Sequence, residues 1–142
     1  EAVGEKHWPI YFSALRDRLK PGAKAGLQII TINADVFESY KKRPDFIQAY
    51  VFPGGMLPTP QHLQDLARIS SLKITSELVF PQDYARTLAE WRERFWRSWD
   101  KVKAMDFDDR FKRLWEFYLY YCEAGFRSEY IDVRQVVFAK PE

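Results

Sequence analysis

Cysteine is almost absent from this chain: Cys122 is the only one in 142 residues. A lone thiol excludes an internal disulfide, and its place in a helical stripe predicts a small buried side chain rather than a reactive one. Long apolar runs are missing too. No segment reaches the ~20 residues that span a bilayer, and no charged leader precedes an apolar core, so the chain is expected in the cytoplasm. Glycine is sparse, with six residues and a single adjacent pair, Gly54-Gly55. No strand-then-helix pattern embraces that pair, so neither a dinucleotide nor an adenosyl fingerprint can be placed. Excess charge of one sign is lacking as well: the formal net charge is +2. Nucleic acid would demand a clustered basic face with stacking aromatics, and no such partner is expected.

What is present is a chain 46% hydrophobic and 30% charged, which fits part of one globular domain. Ile10, Tyr11, Ala14, Leu15 and Leu19 predict a helix from Trp8 to Leu19, closed by Lys20-Pro21-Gly22. Ala25 to Ile32 has no polar alternation and reads as a strand covered on both faces. Asp35 is expected to cap a helix through Tyr40, a short helix follows at Asp45 to Tyr50, and Thr59-Pro60 starts another through Arg68. Leu72 to Phe80 reads as a strand. Two long amphipathic helices, Asp83 to Met105 and Asp108 to Glu129, precede a last strand at Ile131 to Ala139. Leu88, Trp91, Phe95, Trp99 and Val102 form one apolar stripe, and Phe111, Leu114, Trp115, Tyr118 and Cys122 the other. Core packing explains most of these, leaving Trp96 and Tyr120 for lipid contact.

The stretch Phe46-Ile47-Gln48-Ala49-Tyr50-Val51-Phe52-Pro53-Gly54-Gly55-Met56-Leu57-Pro58 joins apolar anchors to a backbone break. Pro53 cannot donate a hydrogen bond, Gly54 and Gly55 allow positive φ and close approach, and Pro58 holds Leu57 extended. It reads as the wall of an apolar pocket.

Together with Glu1-Ala2-Val3-Gly4, Arg18-Leu19-Lys20-Pro21-Gly22, Ile30-Thr31-Ile32, Asp83-Tyr84-Ala85-Arg86-Thr87-Leu88 and Tyr121-Cys122-Glu123-Ala124-Gly125-Phe126-Arg127, this order resembles the cyclopropane-fatty-acyl-phospholipid synthase family. The resemblance implies an S-adenosylmethionine-dependent methyltransferase acting on unsaturated phospholipid acyl chains. Its implied fold is α/β, the C-terminal half of a Rossmann-like methyltransferase, with the cofactor-binding half absent. Three strands are expected, the last antiparallel between the other two, with a two-helix insertion over 81–130. By the same resemblance, Glu1 and Tyr84 take the places of the family's anion-holding glutamate and tyrosine, and the Ile32 backbone would contact a bound bicarbonate that serves as base. Phe46, Tyr50, Phe52 and Tyr84 are candidates to face a cationic acyl chain, with Gly54, Gly55 and Leu57 completing the substrate wall. As the first residue, Glu1 is itself expected to be frayed and solvated.

One departure bears on the chemistry. Where many members carry His-Thr-Ile, this chain has Ile30-Thr31-Ile32. Gln28 shares a strand face with Ile30 and could lend an amide, but never a base. His7 and His62 are expected on helix surfaces and do not substitute. Ring closure is therefore open, and a methyl or methylene branch is an alternative product. Two other readings stand beside the first: an amine N-methyltransferase of the same family, and a non-catalytic lipid-binding fragment. Cations such as Arg92, Arg94, Arg97, Lys101 and Lys103 form solvated helix faces, with peripheral contact to anionic headgroups as the minority reading. An open strand edge at Ala25 to Ile32 predicts a homodimer or strand-exchanged assembly.

Overall fold

A computed structural model describes all 142 residues. After a 3-10 turn at Glu5–His7, the chain runs through α1 (Trp8–Arg18), β1 (Lys24–Ile32), α2 (Ala34–Lys42), α3 (Phe46–Tyr50), α4 (Pro60–Ile69), β2 (Lys73–Val79), α5 (Pro81–Arg97), α6 (Trp99–Lys103), α7 (Asp109–Arg127) and β3 (Ile131–Ala139). The strands form one sheet in the order β1-β3-β2, and β3 runs antiparallel to both neighbours. The last strand therefore closes between the other two, as expected. No helix is long and apolar enough to cross a membrane.

Strand register assigns each face of the sheet to one layer of helices. Leu27 opposite Val136 and Ala25 opposite Phe138 share one face. There Val136 and Phe138 join Trp8 and Phe12 of α1 and Leu63 and Leu66 of α4 in the larger core cluster. On the other face Ile30 lies opposite Val133 and packs with Ala85, Leu88, Leu119 and Phe126 from α5 and α7. Burial of a side chain such as Phe138 stabilises the fold by roughly 1.5–3 kcal/mol.

Arg134 ties the three strands together. Its side chain donates to Thr31 Oγ1 of β1 at 3.0 Å, to both carboxylate oxygens of Asp132 at 3.0 and 2.6 Å, and to Glu77 Oε1 of β2 at 2.6 Å. A buried guanidinium is tolerable because its donors are met in this way.

Several elements differ from expectation for identifiable reasons. In α1 the buried residues are Trp8 and Phe12, whereas Ile10 and Tyr11 are 66% and 45% exposed. Two stripes compete on this helix, and the one carrying tryptophan removes more apolar area from water. The cap of α2 is Asn33, whose side-chain oxygen accepts from the Asp35 N–H at 2.9 Å. The first long helix breaks at Ser98, which ends α5 and begins α6 with φ −98° and ψ 2°, away from α-helical values. Trp91 and Leu114 lie on the exposed side of their helices. β1 is covered fully only at Thr31 and Ile32, with Lys24, Gly26 and Gln28 exposed. His62 is not a surface histidine: it pairs with Thr59 in the capping box of α4, and its ring lies 5.3 Å from Trp8 and 4.7 Å from Phe37.

Candidate active site

Two motifs more than forty residues apart in sequence interlock at the end of β1. Asp45 and Gln48 form a reciprocal capping box that starts α3. At the other end of α3, Phe52 and Gly55 close a tight turn through the Gly55 N–H and the Phe52 carbonyl, 3.0 Å apart. Gly54 sits at φ +85°, which a Cβ would strain, while a Cβ on Gly55 would lie 3.1 Å from the Phe52 carbonyl oxygen. The turn is held from outside as well, since the Gln48 amide donates to the Gly55 carbonyl at 2.9 Å.

Residues 1–4 press against this turn. A Cβ on Gly4 would stand 3.0 Å from the Gly54 carbonyl oxygen, so glycine is what allows the two backbones to approach. The Met56 N–H donates to the Glu1 carbonyl at 2.9 Å, and the Glu1 carboxylate accepts from the Ile30 N–H at 3.1 Å. Glu1 is therefore docked on the strand and not frayed, which corrects the expectation for it. Its carboxylate uses a backbone donor that the sheet leaves free on the outer edge of β1.

Around Glu1 stand groups from two more helices. Tyr84, in the first turns of α5, packs edge-on against Phe126 at 4.9 Å. Burial raises its hydroxyl pKa, and Glu1 and Cys122 add to the effect. Tyr118 of α7 is pushed up to about 12, first by burial and then by Cys122, Tyr84 and Glu1. The Phe52 ring meets Tyr118 at 6.3 Å in a T-shaped pair. Burial lifts the Cys122 thiol to about 11, as befits an inert packing residue. The result is one carboxylate beside two tyrosines that stay protonated, under an aromatic and a glycine turn. Such a site donates hydrogen bonds and presents ring faces; it supplies no strong base.

The other candidates are placed as follows. Ile32 is 1% exposed in the larger core, and its N–H donates to the Pro58 carbonyl at 3.0 Å. With the Ile30 N–H held by Glu1, neither strand donor is free for an anion such as bicarbonate. Gln28 is exposed, accepts from the Gln135 amide at 3.2 Å and lines one pocket with Glu1. Leu57 packs against the larger core, and its N–H donates to the Tyr40 hydroxyl at 3.3 Å. Tyr50 is 72% exposed, and Phe46 contacts Phe117 at 4.6 Å on the outer side of α7. Ile32 and Leu57 thus serve the larger core, and Tyr50 faces solvent. Trp96 and Tyr120 are used between helices: the Trp96 N–H donates to Glu116, and the Arg92 guanidinium lies 4.0 Å from the Tyr120 ring centroid. Arg92 also pairs with Glu123, bridging α5 and α7.

Tyr118 was not among the candidates. Its helical spacing reads as core, and only the fold shows that its stripe ends against Phe52. The Gly54-Gly55 turn lies between α3 and α4 rather than between a strand and a helix.

Comparison with known proteins is consistent across sequence and structure. The chain is 42% identical over 136 residues to the tuberculostearic acid methyltransferase UfaA1 of Mycobacterium tuberculosis, covering 95% of this chain and 32% of that protein. It is 32% identical to the cyclopropane-fatty-acyl-phospholipid synthase of Escherichia coli K12, covering 99% and 35% respectively. The solved cyclopropane synthase MmaA2 of Mycobacterium tuberculosis superposes with a TM-score of 0.86 at 25% identity, covering 96% of this chain and 51% of that one. The cyclopropane synthase CmaA1, crystallised with SAH and CTAB, shares the fold with the same TM-score at 24% identity. The chain thus spans about a third of the length of these curated relatives and about half of the solved chains. A profile of mycolic acid cyclopropane synthetases matches residues 1–136, and the chain belongs to that family of S-adenosylmethionine-dependent methyltransferases.

Proposed function

We propose that this chain forms the acyl-facing side of a methyltransferase that moves a methyl or methylene group from S-adenosylmethionine to the double bond of an unsaturated phospholipid acyl chain. The observation that carries the reading is the docking of residues 1–4 on the Gly54-Gly55 turn and the edge of β1, joined to family membership. An alkene is a weak nucleophile, so it must be held close to its electrophile in a dry cavity. The locked Gly54-Gly55 turn fixes one wall.

Methyl addition to an alkene leaves a cation on the acyl chain. In this reading the faces of Tyr84, Tyr118 and Phe52 stabilise it, at roughly 0.5–2 kcal/mol each. The Glu1 carboxylate adds a fixed negative charge that favours the same cation. No step is assigned to a bicarbonate, whose donors on β1 are already engaged, nor to the sulfonium cofactor.

The test is fatty-acid analysis of a host that makes unsaturated phospholipids and expresses the complete coding sequence. One-carbon-heavier acyl chains should appear at the expense of unsaturated ones. An unchanged acyl profile alongside soluble, folded protein would contradict the proposal.

A further inference from the structure

Glutamine at position 48 does more than start a helix. A glutamate there would complete the capping box of α3 equally well. The amide is instead used at both ends: its oxygen accepts from the Asp45 N–H at 3.1 Å, and its nitrogen donates to the Gly55 carbonyl at 2.9 Å. A carboxylate can make the first bond and not the second, so the turn, and not the helix, accounts for the glutamine. Asp45 is tied in its turn, accepting from the Gln48 N–H at 2.9 Å on one oxygen and from the Tyr121 hydroxyl of α7 at 3.1 Å on the other. No residue of α3 is fully buried. These polar ties and the contact of Phe46 with Phe117 at 4.6 Å therefore fix where the segment stands, in place of core packing.

We infer that Gln48 is a positioning residue that selects which carbons of the acyl chain are presented for reaction. The turn it holds begins at Phe52, whose ring meets Tyr118, and passes into Met56, whose N–H donates to the Glu1 carbonyl. Gly55 stands between them, its N–H donating to the Phe52 carbonyl and its own carbonyl accepting from the Gln48 amide. The amide thereby sets the spacing between the Phe52 ring and residues 1–4, the wall against which a double bond is aligned. Misplacing a reacting group by about 1 Å costs up to about a hundredfold in rate, so a small movement of this wall changes which double bond is favoured. Through Asp45, the Tyr121 hydroxyl extends the tie to α7. This role deepens the acyl-chain reading and rests on it.

The experiment is a competition. The protein from the complete coding sequence, supplied with S-adenosylmethionine, is offered equal amounts of phosphatidylglycerols carrying oleoyl or cis-vaccenoyl chains, identical but for the place of the double bond, and the two modified products are quantified by mass spectrometry. The parent should favour one isomer. Gln48→Leu and Gln48→Glu should each move the product ratio about fivefold toward parity, the fold-change equivalent to one net hydrogen bond. Tyr121→Phe, which loses only the hydroxyl, should move it the same way by about twofold. Ile69→Ser, an exposed apolar residue on α4, should leave it unchanged. Because both substrates compete in one reaction, a variant that is merely less stable lowers both products together and leaves their ratio alone. Gln48→Glu keeps the capping box, so the test stands if Gln48→Leu does not fold. A ratio unmoved in Gln48→Glu, a parent without preference, or an equal shift in Ile69→Ser overturns the inference. So does a folded Gln48→Glu inactive on both isomers, which would assign the residue to the reaction step itself. No acyl modification by the parent would remove the acyl-chain reading, whereas acyl modification with an unmoved ratio would remove only the positioning role.

Discussion

Replacing Gly54 and Gly26 by alanine separates backbone conformation from packing. In both cases a new Cβ would meet no atom within 4 Å, so neither substitution crowds its surroundings. They differ in φ: Gly54 lies at +85°, whereas Gly26 is an ordinary strand residue opposite Val137. Left-handed backbone costs an alanine about 1–2 kcal/mol. In a strand the same change instead gains about 0.5 kcal/mol, chiefly by restricting the unfolded chain. The two variants should therefore differ by about 2 kcal/mol in stability, Gly54→Ala below the parent and Gly26→Ala at or above it. At about 4 °C per kcal/mol for a domain of this size, that separation is about 8 °C in Tm. Urea titration should show the same order in midpoint with an unchanged slope. Equal midpoints for the two variants would refute the claim that the turn beneath the site is held by a left-handed glycine.

Further outcomes follow from the α5–α7 interface and the buried tyrosines. Glu123→Gln removes the partner of Arg92, both side chains being at most 13% exposed, and should destabilise the chain by about 2–3 kcal/mol in denaturant titration. Its two arginines lower the Glu123 pKa against the opposing effect of burial, so the pair's contribution is present above the unfolded value near 4.5 and lost as pH falls through the folded one; the variant should lose less stability on acidification. Burial pushes Tyr40, Tyr118 and Tyr121 up to about 12, so these three should titrate last in ultraviolet difference spectra. Because the unfolded chain releases those protons from pH 10 upward while the folded chain retains them, thermal stability should decline across pH 10–12. Burial lifts the Cys122 thiol to about 11, so it should react with iodoacetamide at pH 8 more slowly than glutathione until the chain is denatured.

The β-rich runs, the Thr59 cap and the glycine turn were readable from local chemistry, because each depends on residues within a few positions of one another. The interlocking of Gly4 with Gly54 was not, since it depends on a backbone approach across fifty residues. Periodicity named the stripes on α5 and α7 but could not say which part of a stripe meets another helix. Leu119 and Phe126 became core while Leu114 stayed exposed, and Tyr118 ended at the site. The choice of Trp8 and Phe12 over Ile10 and Tyr11 was likewise settled by what β3 and α4 present.

Isotope tracing tests the central claim, that the methyl acceptor is an acyl carbon. Cells expressing the complete coding sequence would be fed methionine deuterated in its methyl group, and their phospholipid acyl chains analysed by mass spectrometry. The account predicts deuterium on a branch or ring carbon within chains derived from unsaturated ones, with the number retained distinguishing a methyl from a methylene product. Deuterium confined to a headgroup amine or a small metabolite, with none in the acyl chains, would contradict it.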